Sequence, residues 1–223
     1  MRPLKIIALT DLHTSRVAAE AAAAMIDVEC ANAVFIAGDI SHGDLNDAKS
    51  LLEIMGRSGV PIFFVPGNMD SPKLSSWSRG SLKNLHGRCE SFDSYLLVGL
   101  GGSVSTPFST PFELTEEDAE KVLNETYTKC DNRKLILLSH TPPKNTDLDM
   151  TRSGIHVGSS SVRDFIDHRN PVLVICGHIH EAQGIHKISE TIIVNPGPAY
   201  RGGYARIDLD DKIQVDLARL QLA

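Results

Sequence analysis

Aromatic residues are scarce in this chain, 5% of 223 positions with a single Trp. No apolar run approaches the roughly eighteen residues a membrane-spanning helix needs, so no membrane span is expected. The four cysteines, at 30, 89, 130 and 176, lie far apart and form no CxxC pair. That spacing does not suit a disulfide framework and reads as four small buried hydrophobes in a reducing compartment. Basic blocks are also missing. The 22 Lys and Arg are outnumbered by 28 Asp and Glu, for a net charge of -6, which argues against general nucleic-acid binding. The start, Met1 to Leu9, runs straight into Asp11 and His13 without a long apolar region or cleavage site. It reads as a strand rather than a signal peptide, and cytoplasm is the expected compartment. No linker, repeat or low-complexity segment interrupts residues 1–223, so one domain is expected.

What is present is a series of short, near-continuous apolar runs: 4–9, 33–37, 60–65, 94–100, 134–138 and 172–176. Such runs suit strands buried on both faces. Between them lie helical patterns, from Thr14 or Ser15 as cap to Cys30, from Asn46 to Arg57, and from Thr115 as cap to Lys129, with a shorter one at 161–168. Residues 66–93 read as loops and short pieces, and 141–159 as a long polar loop. The tail reads as hairpin-connected strands at 183–188, 191–194, 203–208 and 212–218. The order βαβαβ predicts a parallel, helix-flanked first half and an antiparallel last quarter. An α/β fold follows: a four-layer α-β-β-α sandwich of two mixed sheets flanked by helices.

The nine histidines and several acids are not scattered. Asp11 and His13 follow the first run, Gly38-Asp39 the second, and Gly67-Asn68-Met69-Asp70 the third. Ser139-His140-Thr141-Pro142 follows the run at 134–138, and Gly177-His178-Ile179-His180 the run at 172–176. The carboxyl ends of parallel strands share one edge, where ligands of α/β proteins gather. Seven metal-competent side chains thus converge: Asp11, His13, Asp39, Asn68, His140, His178 and His180. No Lys or Arg stands among them, and crowded carboxylates and imidazoles need cations to stay together.

The series D-x-H, G-D, G-N-x-D, [ST]-H-x-P and G-H-x-H, from about residue 4 to 200, resembles the calcineurin-like metallophosphoesterase superfamily. The Asn195-Pro196-Gly197-Pro198 turn resembles that of its small bacterial and archaeal members. The resemblance implies two divalent transition metal ions, Mn first, with Fe, Zn, Co or Ni as alternatives. Asp11, His13, Asp39 and His180 would hold one ion, and Asp39, Asn68, His140 and His178 the other, with Asp39 bridging. Such ions sit about 3.5–4 Å apart, and a water between them becomes the nucleophile for in-line attack on phosphorus. Asn68 and Asp70 are the expected catalytic residues. One position departs from the family pattern: many members have His after the motif Asn, as proton donor to the leaving group, and here it is Met69. His42, His86 and His156 are the available substitutes.

The expected function is therefore a dinuclear metal-dependent phosphohydrolase on a small phosphoester, with a phosphodiesterase placed ahead of a phosphomonoesterase. A nuclease is disfavoured by charge. A non-catalytic scaffold of the same fold, similar to a retromer subunit, is disfavoured by the intact ligand series. A homo-oligomer is compatible with the sequence. Arg79, Arg88, Arg152 and Arg201 fall in loops from which they could reach a phosphate, although the plainer reading of each is a solvated surface side chain. Gly101-Gly102 reads as a tight turn, Trp77 as exposed, and His168 and His186 as structural or surface residues.

Overall fold

A computed structural model describes residues 3–128, 133–210 and 212–222. The strands are β1 (Leu4–Leu9), β2 (Ala33–Ala37), β3 (Ile62–Val65), β4 (Leu82–Asn84), β5 (Cys89–Phe92), β6 (Tyr95–Leu100), β7 (Ser103–Val104), β8 (Glu113–Leu114), β9 (Lys134–Ser139), β10 (Leu173–Ile175), β11 (Gly184–Ile188), β12 (Thr191–Asn195), β13 (Gly203–Leu209) and β14 (Gln214–Arg219). The helices are α1 (Arg16–Val28), α2 (Leu45–Gly56), α3 (Glu116–Tyr127) and α4 (Ser160–Arg169). Ser15 caps α1 and Thr115 caps α3, each side chain accepting a backbone N–H of the first turn.

Two six-stranded sheets form, in the orders β14-β13-β1-β2-β3-β4 and β11-β12-β10-β9-β6-β5. Alternate residues of each strand enter different cores, which is why the runs are apolar throughout. On β1, Ile7 and Leu9 meet α1 and α2, while Ile6 and Ala8 point into the space between the sheets. On β10, Leu173 and Ile175 fill that same space, and Val174 turns outward toward α3 and α4. The α-β-β-α layering is as expected.

The short pieces within 66–93 include two edge strands, β4 and β5. Two expectations change. The tail forms two hairpins, β11–β12 and β13–β14, but in different sheets: β12 lies parallel to β10 in one, and β13 antiparallel to β1 in the other. The chain therefore crosses between sheets through the turn at 196–202. The cysteines are not four buried thiols. Cys176 is free and buried, Cys30 is free and exposed, and Cys89 is disulfide-bonded; Cys130 lies outside the described residues. Among the described residues, no helix is long and apolar enough to cross a membrane.

Candidate metal centre

The parallel strands of both sheets end on one rim, and the loops leaving them are laced together by backbone hydrogen bonds. Asp11 N donates to Gly38 O, His13 N to Asp39 O, His140 N to Leu100 O, and Gly177 N to His140 O. Glycine makes this lacing possible. A Cβ on Gly67 would collide with Asp39, and one on Gly177 with Thr10. Several residues of the rim adopt left-handed backbone: Asp11, His13, Thr14, Asp39 and His178 all have positive φ between 47° and 68°. Non-glycine residues take that conformation at a cost, which is typical of functional turns.

Two compact donor groups result: Asp11, His13 and His180, and Asp11, Asp39 and His140. Asp39 faces both. Its Oδ2 lies 3.7 Å from His13 Nε2 and its Oδ1 3.5 Å from His140 Nε2. Met69 N also donates to Oδ1 (2.8 Å). Asp11 is divided differently. Its Oδ2 accepts from Thr10 Oγ1 (2.8 Å) and His178 N (3.2 Å), leaving Oδ1 turned to His180 Nε2 (3.2 Å) and His13 Nε2 (3.6 Å). His178 stands edge-on to His140, ring centres 5.1 Å apart, but belongs to neither compact group.

The donor set fits divalent cations. His140 Nδ1 lies 2.7 Å from the Ala37 carbonyl, which can only accept, so that nitrogen carries the proton. The ring's Nε2 then points at Asn68 Oδ1 (2.9 Å) and Asp39 Oδ1 (3.5 Å). A ring nitrogen and two oxygens converging in this way form a set that can hold a cation. His13 and His180 likewise bring Nε2 to Nε2 at 3.1 Å, and His13 Nδ1 is buried without a partner. Imidazole, carboxylate and amide oxygen without thiolate suit Mn, Fe, Co, Ni or Zn.

Burial and neighbouring groups shift the acidities of these donors in different directions. Burial works to raise Asp11, but hydrogen bonds from His13 and His180 prevail and hold it well below the usual carboxylate range. Asp39 is pushed up, first by burial and then by the charges of Asp11 and Asp70. Burial, with His140 nearby, pulls His178 down to about 3, so it stays neutral and able to ligate. The hydrogen bond with Asp11 raises His180.

Asp70 does not line the pocket. It is fully buried and accepts from Ile40 N, Ser41 N, Ser41 Oγ and Gly67 N. With its lone pairs so engaged, it braces the turns carrying Asp39 and Asn68 and cannot reach a substrate. Of the three substitute histidines, His86 is a neutral acceptor for Gly101 N (2.9 Å), with burial taking it to about 4. His156 pairs with buried Asp149 (2.7 Å). His42 alone reaches the rim, exposed and stacked on His13 at 4.7 Å between ring centres. Trp77, expected to be exposed, packs against Phe64.

Sequence reasoning missed Thr10, which orients Asp11, and Tyr200, whose ring meets His13 and His180 at 5.4 and 5.6 Å. It also missed the work of Asn195, whose Nδ2 donates to Ile179 O (3.0 Å) and ties the crossing turn to the His178–His180 turn. A polar residue directly beside a D-x-H motif was the available signal for Thr10; Tyr200 had none without the crossing turn.

The chain is similar to known proteins over most of its length. An uncharacterised protein of Methanocaldococcus jannaschii is 34% identical over 202 residues, covering 87% of this chain and 88% of its own. A Thermus thermophilus protein of known structure superposes with a TM-score of 0.80 at 20% identity, over 98% of this chain and all of its own. A dimetal phosphatase from Danio rerio superposes at 0.64 with 13% identity, over the whole of both chains. Residues 5–220 match the family model described as metallophosphoesterase, calcineurin superfamily, and the chain belongs to that superfamily.

Proposed function

We propose that this protein is a dinuclear metal-dependent phosphoester hydrolase, with phosphodiesters as the first substrate class and phosphomonoesters as the second. The carrying observation is Asp39, one carboxylate with an oxygen toward each of two donor groups. Asp11, His13, Asp39 and His180 would hold one ion; Asp39, Asn68, His140 and His178 the other. Bound there, divalent ions supply positive charge to the phosphoryl oxygens and acidify a water toward neutral pH. The chain's own contribution is positioning. Thr10 and the His178 amide fix Asp11, the Ala37 carbonyl fixes the His140 tautomer, and Asp70 fixes the turns beneath Asp39 and Asn68. The Asn68 amide, buried beside His140, can both ligate through oxygen and donate its N–H to a phosphoryl oxygen. Met69 has no proton to give a departing alkoxide.

The Danio rerio likeness is to a phosphatase, which keeps the monoester reading open; at 13% identity it bears on the fold. The test is metal analysis followed by a phosphoester panel of mono- and diesters with added Mn²⁺. Wild type is expected to bind two ions and turn over. Asp39→Ala should lose more than about 100-fold in activity, beyond the scale at which outer partners act, and should bind fewer than two ions. Full activity in that variant rejects the mechanism.

A further inference from the structure

The crossing turn brings a cation to the edge of this pocket. Its backbone is fixed at both ends: Ala199 N donates to Thr10 O, Tyr200 N to Asp11 O, and Arg219 Nη2 to Arg201 O (2.7 Å). Tyr200 is therefore held with its ring against His13 and His180. Arg201 lies over that ring, its Cζ 5.0 Å from the ring centre. It is exposed, and among the described residues its guanidinium meets no carboxylate. Arg79, Arg163 and Arg206 each pair with a carboxylate; what sets Arg201 apart is its place against Tyr200, the ring that borders His13 and His180. Arg201 thus stands as a pre-oriented, unpaired cation beside a cluster of anionic donors.

We propose that Arg201, presented on Tyr200, receives a second anionic group of the substrate, a carboxylate or further phosphate adjacent to the phosphoryl group being cleaved. This rests on the hydrolase reading above and names a substrate class for it. The reacting phosphoryl belongs inside the donor cluster with Asn68. Arg201 lies against Tyr200, which itself borders His13 and His180, so the group proposed to meet it is a neighbouring one. A guanidinium offers two parallel N–H donors that match carboxylate or phosphate oxygens. Stacking on an aromatic face holds the fork in place and lowers the entropy lost on binding.

The experiment is isothermal titration calorimetry of the manganese-loaded protein with methylphosphonate and with phosphonoacetate. The two differ by one carboxylate, and neither has a phosphoester bond to hydrolyse. Wild type should bind phosphonoacetate about tenfold or more tightly, the scale of a charge-assisted hydrogen bond. The ratio should fall to near one in R201Q and partway in R201K. It should persist in R206Q, which removes the same charge at a distant, Glu29-paired position. A wild-type ratio near one overturns the proposal, as does a ratio unchanged in R201Q. Equal loss in R206Q also overturns it, because net charge rather than contact would then be responsible. Turnover of 4-nitrophenyl phosphate is read separately. No turnover with the ratio intact removes the hydrolase reading and leaves the anion site standing; turnover with a ratio near one removes the anion site alone.

Discussion

Met69 occupies the place where a proton donor would ease the leaving group out. Its backbone N–H serves Asp39, but its side chain offers no proton. His42 reaches the rim by another route, through stacking on His13, and burial together with the neighbouring His13 lowers its pKa. The reaction should therefore depend on how well the departing oxygen bears negative charge. Nitrophenyl esters are expected to be cleaved much faster than alkyl esters, since general-acid help is worth on the order of 10²–10⁴-fold when the leaving group needs it. Met69→His should narrow the gap by on the order of 10²-fold, raising alkyl turnover and barely changing aryl turnover. A series of esters of graded leaving-group acidity checks this, and a flat dependence in the wild type would refute it.

Elements place these residues, and element ends carry much of their electrostatics. The carboxylate of Glu116, at the start of α3, reaches the start of α4. It accepts from Ser159 Oγ (2.6 Å), Ser160 N (2.8 Å) and Ser161 N (3.0 Å), satisfying amides that α4 leaves unpaired. Burial opposes ionisation, but these bonds prevail and bring Glu116 to about 2 from the ordinary 4.5. A depressed carboxyl pKa adds stability above the unfolded value, lost as pH falls from about 4.5 through about 2. Because the group is partly solvated, screening reduces the gain to about 1–2 kcal/mol. Glu116→Gln should unfold at lower urea than wild type at pH 7, and the gap should close as the pH drops below about 4.5. Element-level legibility in the sequence was uneven for physical reasons. The β1, β2, β3, β9 and β10 runs were readable because both faces are buried, and their polar ends revealed the seven candidate donors. Edge strands β4 (Leu-Lys-Asn) and β5 (Cys-Glu-Ser-Phe) carry no such run. The crossing at 196–202 depends on which sheet each tail strand joins, and a local pattern cannot encode that. Tyr200 and the brace at Asp70 stayed hidden for the same reason: their roles exist only once distant turns meet.

At the scale of the whole molecule, the candidate centre spans the two sheets. Asp11, His13, Asp39 and Asn68 leave the sheet containing β1, and His140, His178 and His180 leave the one containing β10. Cations held there would tie the layers together at a point where the protein otherwise gathers like charge. Asp11, Asp39 and Asp70 are all buried, and among the described residues none of the three pairs with Lys or Arg. For Asp39, burial and the two neighbouring carboxylates raise the folded-state pKa. Its ionisation therefore costs the metal-free fold nothing below the unfolded carboxyl range, and the cost grows as pH rises through the elevated folded value. Ions that bind only the native state act in the opposite direction. At a hundredfold excess over Kd each ion adds about 2.7 kcal/mol, or roughly 5–10 °C in Tm for a chain of this size. Asp39→Asn separates the two effects. It removes the charge and keeps an oxygen to accept from the Met69 amide. In EDTA at pH 8 the variant should melt a few degrees above wild type, with the difference shrinking toward pH 5. With Mn²⁺ the order should reverse, because wild type gains the ions' stabilisation and the variant gains little. Melting curves with and without metal at both pH values decide the matter. Equal response of both proteins to Mn²⁺ would mean that the ions bind elsewhere, and a variant less stable than wild type in EDTA would mean that the Asp39 charge is already compensated by the fold.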